Sequence, residues 1–167
     1  MTKEDIITIP NPLLNAPSKK IGRIDDDVRR LAQEMVEALS DWENSREHEF
    51  AAALAAVQVG RPYRMVVVRR NFEDKADQRF DVLINPEVLS FEGDTTEDLE
   101  GCLSVPNIYA KIARHPRIKV KAKSLDGKTK TIKAEGFLAR VLQHEIDHTN
   151  GITILDRAQG SSKLYSL

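Results

Sequence analysis

Apolar residues recur at helical spacing in two places. Val28, Leu31, Ala32, Met35, Val36 and Leu39 share one face and predict a helix over about residues 26–41. The acidic residues 25–27 suit its N-terminal end. Phe137, Leu138 and Val141 begin a second stripe that His144, Glu145 and His148 continue, with Arg140, Gln143 and Asp147 on the opposite face. Gly136 precedes this helix and Gly151 marks its stop. Between the helices the pattern shortens. Residues 65–68 form a buried-strand run, and residues 80–84 form another that ends at Asn85-Pro86. Residues 118–125 alternate, and Asp126-Gly127 turns them into a returning strand over 129–134. Residues 4–23, broken at Pro10-Asn-Pro12, read as an extended arm. Residues 42–49 read as a loop, 71–78 as a charged turn, and 87–98, with their acidic end, as a solvated loop. This order predicts one α+β domain spanning residues 1–167, with mostly antiparallel sheets packed around the C-terminal helix and an N-terminal helix beside them.

Composition narrows the function classes. A net charge of −1 gives no electrostatic case for nucleic acid or an anionic membrane. The alternating basic run over 119–123 reads as the solvated face of a strand. No apolar run reaches the length of a membrane span. The first residues lack a secretion signal, and no transit segment is evident, so the expected compartment is the cytoplasm. A single cysteine, Cys102, excludes an intramolecular disulfide and agrees with that compartment.

The chemistry concentrates in His144-Glu145-x-x-His148. Four helical residues advance the chain by about 6 Å and return to nearly the same face, so two imidazoles can hold one ion. Glu145 lies about 100° round the helix from His144, within reach of a water on that ion. Hydrolytic sites of this kind keep three protein ligands and one water. His48 lies in a polar stretch and His115 precedes Pro116, so both read as surface residues. A lone cysteine is ordinarily a small buried hydrophobe. Here Cys102 is the first choice for third ligand, because an ion would hold it as thiolate.

Glu100-Gly-Cys-Leu-Ser104 and Gln143-His-Glu-Ile-Asp-His148, in this order and separation, strongly resemble the peptide deformylase family. Ala55-Ala-Val-Gln58 resembles the end of the family's first motif, Gly-x-Gly-hydrophobic-Ala-Ala-x-Gln, and the likeness covers nearly the whole chain. The resemblance implies that Cys102, His144 and His148 hold a divalent metal and that Glu145 is the general base and acid. It implies that the Gln58 amide and the Leu103 backbone N–H stabilise the oxyanion. Glu100 would support the cysteine loop by pairing with Arg114. The substrate, an N-formylmethionyl nascent chain, would lie as an added strand between residues 51–53 and Glu100-Gly101, with Ala52 and Ala53 in contact. Phe137 and Val141 would wall the methionine pocket, and Tyr109 would stand at its mouth. The products would be formate and a free N-terminal methionine. Iron(II) is the first expectation for the metal, ahead of zinc, nickel and cobalt. A monomer is expected, with possible contact to the ribosome through its substrate.

Three departures stand out. Ala51 and Ala53 replace the two glycines of the first motif. If those positions need φ > 0, alanine costs about 1 kcal/mol or more. If they need close approach, each methyl narrows the cleft. Thr149 replaces a leucine after the second histidine and is expected to alter core packing. The sequence also ends soon after the metal helix, which predicts no long C-terminal tail. The altered first motif motivates a second reading, a deacylase for another small acyl group; a third, a weakly active relative that binds peptide or ribosome, has the intact Gln58, Glu145 and ligand triad against it.

Overall fold

The computed structural model describes residues 1–158 and 164–166. After two short 3-10 turns, the chain forms α1 (Asp26–Asn44), β1 (Ala53–Ala55), a 3-10 turn at Ala56–Val59, β2 (Met65–Arg69) and β3 (Phe80–Glu92). Then come β4 (Thr96–Cys102), β5 (Val105–Arg114), β6 (Arg117–Lys123), β7 (Thr129–Glu135), α2 (Gly136–Thr149), α3 (Ile154–Ala158) and β8 (Leu164–Ser166). Two antiparallel sheets result, one ordered β1-β2-β3-β6-β7 and one ordered β4-β5-β8. The expected α+β arrangement around a C-terminal helix is the one observed.

Strand β2 of the larger sheet is apolar from Met65 to Val68 because both faces are covered there, whereas β6 alternates buried apolar with exposed basic residues. Leu54, Met65, Val67 and Ile84 face α1 and meet Leu31, Met35 and Leu39. Their neighbours Ala53, Ala55, Val66 and Val68 face α2 and meet Ala139, Val141, Leu142 and Ile146. The smaller sheet packs Val105, Ala110 and Ile112 on Ile154 and Ala158 of α3. Gly151 ends the turn after α2 at φ +74°, and a Cβ there would stand 2.8 Å from backbone carbons of Asn15 and Ala16. The N-terminal arm therefore seats against the end of the metal helix only if this residue has no side chain.

Several boundaries differ from the sequence reading. Helix α1 continues through Trp42 to Asn44 rather than giving way to a loop, because Glu43 is buried and ion-paired with Arg69. Strand β3 does not stop at Asn85-Pro86. It passes through an irregular register there, with Asn85 at φ 51° and its amide bonded to the N–H and the carbonyl of Ile21, both at 2.8 Å. Residues 87–98, expected as a solvated loop, are instead the end of β3 as far as Glu92, a turn over 93–95 and the start of β4 from Thr96, with Asp94, Glu97 and Asp98 exposed. Helix α3 and β8, at five and three residues, are too short to show a period in sequence, and Pro106 interrupts the pattern of β5 near its start. Thr149 is fully buried, and its hydroxyl donates to the Ile146 carbonyl at 2.7 Å.

Candidate metal centre and active-site cleft

Helix α2 presents His144 and His148 one turn apart, and the end of β4 brings Cys102 to them. Cys102 Sγ lies 3.2 Å from His148 Nε2, which lies 3.2 Å from His144 Nε2. The three donor atoms all fall within 4.8 Å of one another, and the histidines are buried. A soft thiolate and two imidazoles so converged form a donor set for one divalent transition ion. Glu145 is 5% exposed, and its Oε2 is buried without a hydrogen-bond partner. A carboxylate oxygen left in that state is costly, and a cation at this centre supplies the missing compensation. The residues therefore fit a metal ion. Burial pushes the Glu145 carboxyl up to about 7, against the opposing charge of His144.

Glu100 holds the centre from outside. Its Oε2 accepts from His144 Nδ1 at 2.9 Å and from Arg114 Nη2 at 3.0 Å. Its Oε1 accepts from Arg114 Nε and Arg140 Nη1, each at 2.9 Å. Burial raises this carboxyl, but the hydrogen bonds from His144 and Arg114 outweigh it and hold Glu100 at about 2. The bond to Nδ1 fixes the His144 tautomer that leaves Nε2 free as a ligand atom. Behind it, Arg114 Nη1 donates to Asp147 Oδ2 at 2.5 Å, and Arg157 donates to both Asp147 oxygens. The face of α2 carrying Gln143 and Asp147 was expected opposite the buried stripe, yet both residues are buried. Gln143 spends its amide on the His115 backbone, and Asp147 joins the arginine network.

Gln58 reaches the centre from the 3-10 turn after β1. Its Oε1 accepts from Ala55 N at 2.9 Å, which fixes the amide orientation. Its Nε2 then donates to Ser104 Oγ at 3.1 Å and approaches Cys102 Sγ at 3.6 Å. Ser104 is fully buried, and nothing in the sequence around it marks the contact by which it helps to aim Gln58.

These groups floor a cleft of about 240 Å³. Its lining includes Gln58, Cys102, Leu103, His144 and Glu145, together with Ala52, Ala53, Glu100, Gly101, Tyr109, Phe137 and Val141. Arg114 and His148 lie behind the surface rather than on it. Phe137 follows the inward stripe in sequence but is 54% exposed, because it lies on the first turn of α2 at the open side. The Tyr109 ring packs against Gly101, where a Cβ would meet Tyr109 Cε1 at 2.9 Å. The cleft also takes Trp42, Arg46, Phe50 and Arg140, which sequence patterning did not mark. His48 is exposed, and His115 donates from Nδ1 to the Gly93 carbonyl, so neither joins the centre.

The two alanines of the first motif behave differently. Among the described residues other than glycine, only Asn85 and Asn107 have positive φ, so Ala51 and Ala53 carry no left-handed strain. Ala51 is buried against the α1 side and does not line the cleft, whereas Ala53 does. Ala53→Gly is therefore expected to lower KM for a peptide substrate by opening the cleft, at a stability cost of about 0.5–1 kcal/mol. Steady-state kinetics and thermal unfolding check both effects.

A family model described as polypeptide deformylase matches residues 3–164. The chain is similar to the peptide deformylase of Dictyoglomus thermophilum, at 42% identity over 154 residues, covering 92% of each chain. It is 41% identical over 158 residues to that of Agrobacterium fabrum, covering 93% of this chain and 87% of the relative. Among solved structures, a peptide deformylase from Synechococcus elongatus in complex with actinonin gives a TM-score of 0.85 at 32% identity. That match covers 95% of this chain and 82% of the other. The Thermotoga maritima peptide deformylase gives a TM-score of 0.80 at 33% identity, covering 93% and 97%.

Proposed function

The chain belongs to the polypeptide deformylase family, and on that premise we propose how its own residues remove the formyl group from the N-terminal formylmethionine of nascent polypeptides, releasing formate. The observation that carries the mechanism is the convergence of Cys102, His144 and His148 beside a buried, unpartnered Glu145 oxygen at the floor of a cleft. Cys102, His144 and His148 would hold a divalent ion, which would supply Lewis acidity toward the formyl carbonyl and lower the pKa of water. Glu145 takes a proton from the attacking water and delivers it to the leaving amine nitrogen as the C–N bond breaks. The Gln58 amide and the Leu103 N–H donate to the oxyanion that develops on the formyl oxygen. The Cys-His-His set is compatible with iron(II), zinc, nickel and cobalt, and iron(II) is the resident ion on this reading.

The substrate backbone enters between β1 and β4, each an edge strand of its own sheet, and adds as a further strand. Ala52, Ala53, Glu100 and Gly101 supply those edges, Phe137 and Val141 wall the methionine side chain, and Tyr109 stands at the mouth. Arg114 acts only through Glu100. Among the described residues no helix is long and apolar enough to cross a membrane. A cytoplasmic monomer that meets its substrate at the ribosome is the setting we propose.

Gln58→Ala is expected to lower kcat by about 10²- to 10³-fold with little change in metal content, since it removes one oxyanion donor. The acyl preference tests the reaction itself. Matched formyl-Met-Ala-Ser and acetyl-Met-Ala-Ser peptides should show release of formate and negligible release of acetate. Equal or greater acetate release would reject the deformylase reading in favour of a broader deacylase.

A further inference from the structure

We propose that Arg69 is a positioning residue for peptide binding, acting through the segment before β1 that walls the cleft and through the loop whose Phe72 packs against that wall. The proposal rests on the deformylase reading for its substrate. Arg69 ends β2 and is 1% exposed. An arginine so buried is tolerated only when its donors are used and its charge is met. Its Nη2 donates to Glu43 Oε2. Nη1 donates to the carbonyls of Lys75 at 3.2 Å and Asp77 at 2.7 Å, and Nε donates to the Ala51 carbonyl at 3.4 Å. The guanidinium also lies 4.8 Å from the ring centre of Phe50 and 5.0 Å from that of Phe80.

One side chain thus clamps residues 43–51 and the loop after β2 together. Lys75 closes the clamp from the other side, donating from Nζ to the carbonyls of Arg46 at 3.1 Å and Glu43 at 3.4 Å. The loop stays off the cleft surface, while the first segment leads directly into the cleft. Phe50 and Ala52 line it, and the Arg69 backbone N–H donates to the Ala52 carbonyl at 2.9 Å. Phe72, in the loop, stands edge-on to Phe50 and to Phe137, with centroids 6.3 and 4.9 Å away. None of the groups that Arg69 bonds or stacks against is Gln58, Cys102, His144, Glu145 or His148. Loosening the clamp therefore moves the wall that orients peptide while leaving the reacting groups in place.

Two variants test this. Arg69→Lys keeps a cation for Glu43 but cannot span three carbonyls and two rings. Glu43→Leu combined with Arg69→Met removes both charges, so no buried charge is left unpaired. Each should raise KM for formyl-Met-Ala-Ser on the order of tenfold while kcat stays within about twofold. Amide exchange should quicken over residues 45–52 and 71–78 but not in α2. Trp42, the sole tryptophan, lines the cleft. A fluorescence titration with the product peptide Met-Ala-Ser should report a weakened Kd that follows KM. Unchanged KM and Kd in the folded variants, or a loss of kcat at constant KM, would overturn the proposal. Failure of the unaltered protein to release formate would count against the deformylase reading instead, and the Trp42 titration would still decide the role of Arg69.

Discussion

Glu145→Gln is expected to lower kcat for formate release by about 10³- to 10⁴-fold while one metal ion per chain is retained. Glutamine keeps the size and polarity of the side chain but cannot accept the proton of the attacking water. The three donors Cys102, His144 and His148 do not include Glu145, so metal content should be unchanged. Its position one residue beyond His144 on α2 aims it at the same cleft, where it lines the floor. Formate release and elemental analysis on the same preparation separate chemistry from metal loading. A variant with full metal and near-normal turnover would mean that another group moves the proton.

Glu100→Ala should be the most disruptive single change to stability near the site. Glu100 is 5% exposed and accepts from Arg114, Arg140 and His144. Removing it leaves Arg114, itself 5% exposed, with Asp147 as its remaining carboxylate, and Asp147 is already shared with Arg157. Breaking a buried pair in this way costs about 3–5 kcal/mol, which corresponds to a fall in Tm of roughly 6–20 °C for a chain of this size. His144 also loses the partner that fixes its tautomer, so metal affinity should fall about 10- to 100-fold. Thermal unfolding of the metal-free protein reads the first effect, and competition with a chelator reads the second. A Tm within about 2 °C of the unaltered protein would show that Arg114 and Arg140 find other partners or water.

The candidate metal centre was legible in the sequence because its chemistry needs particular atoms at particular spacings. His144 and His148 are fixed by one helical turn, and Cys102 lies in a motif whose residue types have few structural substitutes. The two helices and the β6–β7 hairpin were legible for a similar reason, since each repeats a strong local period or turn. The supports of the centre were harder to see. Asp147 and Gln143 are polar residues on what reads as the outer face of α2, and their burial goes with partners far away in sequence, Arg114 and Arg157 for Asp147 and the His115 backbone for Gln143. Arg69 and Glu43 stand 26 residues apart, with no local signal that two charges meet in the core. Ser104 acts only through its distance to Gln58. Ala51 and Ala53 looked alike in sequence, and only the fold separates the buried methyl from the one in the cleft.

The most direct test is formate release from formyl-Met-Ala-Ser by anaerobically prepared protein carrying one iron(II) per chain, measured beside zinc- and nickel-loaded samples. The account predicts robust turnover with at least one of these metals, and none after the ion is removed by a chelator. Absence of formate with every metal, at one bound ion per chain, would contradict it, as would turnover that persists in the metal-free protein.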